Sequence, residues 1–420
     1  MTITLVPPSP VLPAPVRPDP LGVLGVPGEI NLDHAASAPC ARAAADAVAG
    51  LLPWYASVHR GAGALSRRCT LAYERARQTV GDFLGARPDD HVIFTRNTTD
   101  ALNLLARALP AGTTVITFGG EHHANLLPWP RGSVRLPVPD SPAGAIRSLA
   151  AALGELARDA RPGLPVLVAV TGAGNVTGEC WPVAELARVA HRHGARILVD
   201  AAQLAPHAPV DLAALDVDYV ALSGHKLYAP FGAGVLAGRA DWLDAAPPYL
   251  AGGGATSHVG AATHEVRWTT GPARHEAGTP NLLGAVALAA VCEALGEADR
   301  QALHVREQAL LTRLRRGLAT LPDVVELRTF GPDAPRVGIV SFVVAGRDSA
   351  EVAAHLASRH RIGVRDGLFC AHPLTRRLLA EAAARTGRTD LPPTALRASL
   401  GLGTTEAHVD ALVTALSHLP

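Results

Sequence analysis

The feature that most constrains the fold is a series of short, uninterrupted apolar segments. Val166–Thr171, Arg196–Asp200 and Tyr219–Ser223 each have the pattern of a buried strand, and helical patterns at 145–157 and 182–193 precede the first two. Strands that are apolar throughout are covered on both faces, and their alternation with helices is typical of a mostly parallel sheet. The sequence therefore predicts an α/β fold that binds its ligand beyond the carboxyl ends of the strands.

The length of 420 residues favours a large domain and a smaller one. We predict a proline-rich arm over 1–28, a large domain over 29–281 and a smaller C-terminal α/β domain over 282–420. Within the last domain, strands are expected at 337–344, 362–365 and 395–400. The arm lacks the basic region and apolar core of a signal peptide. No apolar run is long enough for a membrane span.

Charge and cysteine content exclude several classes of protein. The net charge is +1 and no block of basic residues stands out. This argues against nucleic acid or an anionic membrane as the main partner. The five cysteines are an odd number without a C-x-x-C pair. A reduced, cytoplasmic protein with at most one reactive thiol is therefore expected.

Lys226 is the only lysine in the chain, although lysine and arginine together number 38. An arginine stays charged and is a poor nucleophile, whereas a lysine amine can lose its proton and form an imine. One alternative is a surface lysine retained by chance. The position of Lys226, on a turn between the apolar segments Tyr219–Ser223 and 234–236, favours a chemical role instead.

A phosphorylated aldehyde cofactor on Lys226 needs a site for its phosphate. Thr98 and Thr99 begin a predicted helix directly after a strand, and a helix N-terminus offers N–H groups and hydroxyls to an anion. Both threonines are equally good helix-capping residues, so this segment alone decides nothing. Ser223 and His225, which precede the lysine, can add donors to the same phosphate.

The cofactor ring needs other partners. Asp200 ends a buried strand and is expected to keep the ring nitrogen protonated, which makes the ring an electron sink. Asn175 and Gln203 are candidates for the phenolic oxygen, and His122 for stacking on one face of the ring. The alternatives for the pair His122 and His123 are a metal site or a plain loop. Adjacent side chains point apart, so we predict no metal.

These motifs resemble the class V aminotransferase superfamily, the fold type I enzymes that use pyridoxal 5′-phosphate (PLP). Ser-Gly-His-Lys at 223–226 and Asp-x-x-Gln at 200–203 carry that resemblance. Three further motifs resemble the cysteine desulfurase and selenocysteine lyase branch, in particular the Suf-type (group II) enzymes. They are Val-His-Arg-Gly at 58–61, Glu-His-His-Ala-Asn at 121–125 and Glu-Ala-Gly-Thr-Pro-Asn at 276–281. The resemblance implies PLP on Lys226, in a large domain with a sheet of the seven-stranded type.

The resemblance also implies a homodimer with active sites at the interface. Thr279 is then expected to complete the phosphate site of the other subunit. Arg397 matches the arginine that binds the substrate carboxylate, a contact to which its planar fork is suited. Arg365 and Asn175 are also expected to contact the substrate, which the resemblance implies to be L-cysteine or an analogue.

Cys370 decides which reaction is predicted. In Suf-type desulfurases this stretch reads Arg-x-Gly-x-x-Cys-x-x-Pro-Leu, and its cysteine accepts sulfur as a persulfide; Arg365, Gly367 and Cys370 match. A lone cysteine is otherwise a small buried hydrophobe, but a nearby arginine favours the reactive thiolate. Phe369 stands where the family often has histidine, which removes a candidate proton handler.

We therefore predict a PLP-dependent cysteine desulfurase-like enzyme that forms L-alanine and a Cys370 persulfide, from which an acceptor protein can take the sulfur. One alternative is another class V enzyme, an aminotransferase, C–S lyase or epimerase, in which Cys370 accepts no sulfur. A second is a protein of the same fold kept for binding or scaffolding, against which intact Lys226, Asp200 and Arg397 argue. The choice among cysteine, selenocysteine and a bulkier thio-amino acid stays open.

Overall fold

A computed structural model of the chain describes residues 19–159, 164–262 and 264–419, so residues 1–18 of the predicted arm lie outside the described residues. The strands, in chain order, are β1 Ile30–Asn31, β2 Asp90–Thr95, β3 Thr114–Phe118, β4 Val134–Leu136, β5 Val166–Thr171, β6 Arg196–Asp200, β7 Tyr219–Ser223, β8 Gly234–Arg239, β9 Thr256–Val259, β10 Val266–Trp268, β11 Val324–Glu326, β12 Ile339–Val344, β13 Ile362–Gly363, β14 Arg365–Gly367 and β15 Ala395–Ser399.

The helices, in chain order, are α1 Arg42–Leu51, α2 Ala64–Phe83, α3 Thr98–Ala108, α4 Pro142–Asp159, α5 Val183–Arg192, α6 Ala240–Ala245, α7 Leu282–Glu297, α8 Arg300–Ala319, α9 Ser349–His360, α10 His372–Thr386 and α11 Glu406–Ser417. Within the described ranges, none of them combines the length and the apolar character that a membrane crossing requires.

The main sheet has seven strands in the order β2-β8-β7-β6-β5-β3-β4. Strand β8 runs antiparallel to both of its neighbours, and the other neighbouring strands are parallel. Buried apolar side chains of these strands pack in two separate clusters, one including α2, α5 and α7 and the other including α3. The predicted α/β fold with a mostly parallel sheet covered on both faces is confirmed.

The strand register brings polar residues to one edge of this sheet. Thr171 at the end of β5 pairs with Asp200 at the end of β6, and Asp200 pairs with Ala221 of β7. Ser223 ends β7 two residues later. Because parallel strands end at the same edge, these side chains face a common space, as the α/β prediction requires.

A second sheet, β11-β12-β15-β14, is antiparallel throughout and packs with α8, α9 and α11. The prediction of one strand at 362–365 is wrong, because the chain leaves one sheet for another there. Strand β13 pairs with β1, and after Val364 strand β14 pairs with β15. The pairing of Ile30 with Ile362 joins the start of the predicted large domain to the second unit. The predicted domain boundaries stay a prediction.

A largely buried ion pair, with side chains 13% and 5% exposed, holds the loop before α7 against the sheet. Arg77 of α2 donates to both oxygens of Glu276, at 2.7 and 2.8 Å. The hydroxyl of Tyr73 donates to the same carboxylate at 2.9 Å, and the N–H of Phe94 on β2 donates at 2.7 Å. Glu276 therefore joins a helix, a strand and the loop that carries Thr279.

We predict that Glu276→Ala lowers the free energy of unfolding by about 3 kcal/mol, because it leaves a largely buried guanidinium without its main counter-charge. The control is Glu74→Ala, which removes the other carboxylate of Arg77 from a side chain that is 46% exposed. That change should cost less than about 1 kcal/mol. Urea-induced unfolding measures both, and equal losses for the two variants would contradict the account.

Candidate active site

A cavity of about 510 Å³ opens at the carboxyl ends of β5, β6 and β7. All the predicted site residues except Thr279 line it: Thr98, Thr99, His122, Asn175, Asp200, Gln203, Ser223, His225, Lys226, Arg365, Cys370 and Arg397. Thr279 lies in a separate depression with Tyr73 and Asn281. Its assignment to the partner's site stays a prediction.

Lys226 sits on the turn between β7 and β8, deep in the protein but accessible from the cavity. The turn requires Gly224, because a Cβ there would lie 2.7 Å from the carbonyl oxygen of Ala233. Burial lowers the pKa of the Lys226 amine to about 8; the charge of Asp200 opposes this and that of Arg397 adds to it. The amine is therefore partly neutral near neutral pH, which an exposed lysine is not.

Asp200 is buried at the floor of the cavity. Its Oδ1 accepts the N–H of Ala202 at 3.0 Å. Burial raises its pKa, and both that hydrogen bond and the charge of Lys226 lower it. Beside it, the Nε2 of Gln203 donates to the carbonyl of Ala35 at 2.8 Å, which ties the cavity floor to the loop after β1. A buried carboxylate of this kind is a strong acceptor for a cationic N–H donor.

The N-terminus of α3 forms the polar end of the cavity. The N–H of Thr98 donates to the hydroxyl of Ser223 at 2.8 Å, and the two hydroxyls are 2.7 Å apart. Asn97 caps the helix by accepting the N–H of Asp100 at 3.0 Å. Gly234 permits this approach, because a Cβ there would lie 2.5 Å from the Cα of Asn97. Hydroxyls at a helix N-terminus suit an anion such as a phosphate.

His122 lies opposite the lysine and is held neutral. Its Nδ1 accepts the N–H of Ala124 at 3.0 Å, so the proton of the neutral ring is on Nε2. Burial and, to a smaller extent, the charge of Lys226 together lower the pKa of His122 to about 4. A neutral, fixed imidazole offers a flat face to an aromatic ligand.

Glu121 precedes it and is fully buried. Its carboxyl accepts the N–H of Thr171 at 3.0 Å and the side-chain N–H of Asn125 at 2.9 Å. Burial raises its pKa to about 8. Glu121 thus fastens the loop of His122 to the end of β5.

Arg397 of β15 is buried, and its guanidinium is held from two sides. Nη1 donates to the carbonyl of Asn175 at 2.9 Å, and Nη2 donates to Asp33 at 3.2 Å. Its Nε is buried without a hydrogen-bond partner among the described residues. Asp33 also lies 3.7 Å from Arg365. Two guanidiniums and one carboxylate leave a local excess of positive charge, which suits an anionic ligand.

Cys370 is exposed at the cavity, whereas Cys69 and Cys292 are buried and Cys40 and Cys180 are half-buried. Burial raises the pKa of three of the others, that of Cys180 to about 11. A raised pKa and burial both make a thiol less reactive. Of the five cysteines, Cys370 alone lines the cavity.

Several residues of the site were not predicted. A capping Asn97 before Thr98 follows an ordinary helix-start signal and could have been found. Asp33 had no such signal, because it meets Arg397 only through the fold. Glu121 follows a buried strand directly, a position where a carboxylate needs partners. His372 lines the cavity from the start of α10.

Comparisons with known proteins agree with this arrangement. The profile of the family "Aminotransferase class-V" matches residues 30–412. The chain belongs to the class V aminotransferase family. A cysteine desulfurase from Dickeya dadantii is 37% identical over 401 residues, covering 92% of this chain and 91% of the relative. A probable cysteine desulfurase from Synechocystis is 35% identical over 377 residues, covering 85% of each chain.

Solved structures of class V aminotransferase relatives have the same fold. The cysteine desulfurase CsdA from Escherichia coli superposes with a TM-score of 0.76 at 32% identity, covering 93% of this chain and 94% of that one. The apo cysteine desulfurase from Thermococcus onnurineus gives a TM-score of 0.79 at 32% identity with the same coverage. The resemblance read from the sequence is confirmed.

Enzymes of the class V aminotransferase family depend on PLP, and the residues present fit it. The cavity offers a partly neutral lysine amine, a buried carboxylate and a helix N-terminus with hydroxyls. These three groups match an aldehyde, a pyridine nitrogen and a phosphate, respectively. The neutral face of His122 is available to the ring.

Because burial lowers the pKa of Lys226 to about 8, the neutral amine becomes the major form above that pH. We predict that apo protein captures PLP covalently at a rate that rises with a midpoint near pH 8. Borohydride trapping and mass spectrometry of the Lys226 peptide measure this rate. A second variant, Asp200→Asn, should move this midpoint to lower pH, because the carboxylate of Asp200 favours the charged form of the amine. A midpoint near the ordinary lysine value of about 10.4 contradicts the assignment.

Proposed function

We propose that the chain is a PLP-dependent cysteine desulfurase that removes sulfur from L-cysteine and forms L-alanine and a persulfide on Cys370. The observation that carries this proposal is the single cavity shared by an exposed thiol, the only lysine amine of the chain and the buried guanidinium of Arg397. The similarity to cysteine desulfurases over most of the chain supports the same reaction.

The cofactor would be held by residues at the ends of β6 and β7 and at the start of α3. Asp200 would accept a hydrogen bond from its ring nitrogen, and Thr98 with Ser223 would bind its phosphate. Thr99 and His225 line the same part of the cavity and would add donors to that phosphate. Gln203 would meet the phenolic oxygen with the part of its amide that Ala35 leaves free. When bound, PLP supplies an electron sink for the substrate carbon next to the amine.

The substrate carboxylate would bind at Arg397. The carbonyl of Asn175 and the carboxylate of Asp33 fix the orientation of this guanidinium, and its buried Nε has no other partner among the described residues. Arg365 lies on the same side of the cavity, so the anion meets two cations. Because the orientation of this guanidinium is already fixed, it loses little conformational entropy when the carboxylate binds, which favours a tight, oriented contact.

Lys226 would move the proton at the substrate Cα. Its lowered pKa of about 8 suits this role, because a base works best when its pKa lies near the working pH. The thiolate of Cys370 would then attack the substrate sulfur. The S–S bond forms as the carbon–sulfur bond breaks, and the carbon becomes the methyl group of alanine after taking up a proton.

We infer that the enzyme is a homodimer in which Thr279 completes the partner's phosphate site. Large exposed apolar side chains that follow α1 or lie on α2 support an interface there: Leu52, Trp54, Tyr55, Leu65 and Leu71. Thr279 lies outside its own cavity, which is consistent with a role in the other subunit. Sedimentation at twice the mass of the chain is expected, and a monomer that is fully active contradicts the dimer.

The exposure of Cys370 supports delivery of its sulfur to an acceptor, such as a second protein, at the mouth of the cavity. The free thiols of all five cysteines support a cytoplasmic location, where thiols stay reduced.

We predict that Cys370→Ala lowers cysteine-dependent formation of alanine and sulfide by on the order of a thousandfold, because the nucleophile is lost. The variant should keep the visible absorbance of bound cofactor, since Lys226 and Asp200 are unchanged. Assays of alanine, pyruvate and sulfide on purified protein measure this.

Cys40→Ala is the matched control, because its thiol is outside the cavity, and its activity should equal that of the wild type. If Cys370→Ala retains full alanine formation, the persulfide mechanism is wrong. Pyruvate in place of alanine in the wild type would indicate a C–S lyase instead.

A further inference from the structure

A second histidine pair lies at the mouth of the cavity and has no part in the proposed reaction so far. The rings of His123 and His372 are in edge-to-face contact, with centroids 4.6 Å apart. The N–H of His372 donates to Nε2 of His123 at 3.4 Å. His372 also lines the cavity together with Cys370 and Lys226. An imidazole, whose ring nitrogens can accept a proton, therefore shares a space with the exposed thiol.

The same pair is tied to the backbone of Cys370. The N–H of His123 donates to the carbonyl of Cys370 at 2.8 Å. The side chain of Asn175 donates to the carbonyl of Phe369 at 2.7 Å. These two bonds matter because Phe369 and Cys370 have φ angles of +53° and +51°, in the left-handed region that costs non-glycine residues energy. The backbone of the thiol-bearing loop is thus held in place by His123 and Asn175.

The two imidazoles differ in their hydrogen bonding and in their exposure to solvent. Nε2 of His123 accepts the N–H of His372, so this ring is fixed as an acceptor within the loop contact. Burial and the neighbouring His372 lower the pKa of His123. His372 is exposed and is the first residue of α10, and no side-chain hydrogen bond of its ring is seen among the described residues.

The other charged groups around the thiol come from every neighbouring element. The cations that line the cavity with Cys370 are Lys226 on the turn after β7, Arg397 on β15 and Arg365 on β14. The carboxylates that line it are Asp200 at the end of β6 and Asp366 on β14. His122 lies next to His123 on the same loop, and the centroids of these two rings are 6.4 Å apart. Burial lowers the pKa of His122 and keeps it neutral. The two guanidiniums do not accept a proton, so they are not candidates for the base that takes up the proton of the thiol.

We propose that His372 takes up the proton of the Cys370 thiol, and that His123 positions both His372 and the loop of Cys370. The proposal rests on the proposed desulfurase function. The Cys370 S–H bond breaks, its proton moves to the imidazole of His372, and the electron pair stays on sulfur as the attacking thiolate. Phe369 has no atom that could do this, and its ring packs 5.1 Å from the guanidinium of Arg397.

The test uses holoenzyme and His372→Gln, which keeps a polar side chain at the start of α10 but does not titrate. Iodoacetamide alkylation of Cys370 is followed from pH 5 to 10 by mass spectrometry of its peptide. We expect the midpoint to move upward and the rate at neutral pH to fall about tenfold, as for a thiol pKa raised by one unit. The turnover number should fall by on the order of a hundredfold with KM little changed.

Two further variants separate proton uptake from positioning. His360→Gln is the matched control, because His360 belongs to an unrelated imidazole pair with His355 on α9, and its alkylation profile should equal the wild type.

His123→Phe keeps a ring but removes the acceptor for His372. It should lower turnover while the circular dichroism and cofactor absorbance stay unchanged.

An alkylation profile of His372→Gln that coincides with the wild type overturns the proposal, even if turnover falls. Alkylation needs no substrate, so the two proposals fail separately. A shifted profile in a protein that does not desulfurate cysteine leaves the proton assignment intact and refutes the reaction. Normal desulfuration with an unshifted profile refutes only the role of His372.

Discussion

The amine of Lys226 lies in a desolvated site between the carboxylate of Asp200 and the guanidinium of Arg397, and the chemistry of the cavity depends on that balance of charge. Desolvation makes the neutral amine available, Asp200 opposes this, and Arg397 adds to it. Burial and the charges of Lys226 and Arg397 also lower the pKa of His122, which keeps that ring neutral. Removing Asp200 or Arg397 is therefore expected to change the pKa of the Lys226 amine, because charge interactions in a low-dielectric site are strong.

The fold produces this site through ordinary rules of parallel sheets. Strands β5, β6 and β7 end at one edge and deliver Thr171, Asp200 and Ser223 to it. The second sheet then contributes Arg397, and the loop after β14 contributes Cys370, so both sheets supply residues to the cavity. Loops carry the reactive groups, and the strands beneath them supply rigidity.

Much of this could be predicted from the sequence. Continuous apolar strands gave β5, β6 and β7 with their observed limits, and the single Lys226 pointed to the cofactor. What escaped prediction depends on long-range contacts. Asp33 meets Arg397 only after β1 pairs with β13, and the histidine pair of 123 and 372 forms only when two distant loops meet. The strand predicted at 362–365 failed for a similar reason, since its two halves pair with strands of different sheets.

The central claim is that sulfur moves from L-cysteine to Cys370. Mass spectrometry of the Cys370 peptide, after holoenzyme is mixed with one equivalent of L-cysteine under reductant-free conditions, tests it directly. The account predicts that this peptide gains the mass of one sulfur atom and that an equal amount of alanine is released. Alanine or pyruvate released without any sulfur on Cys370 would contradict it.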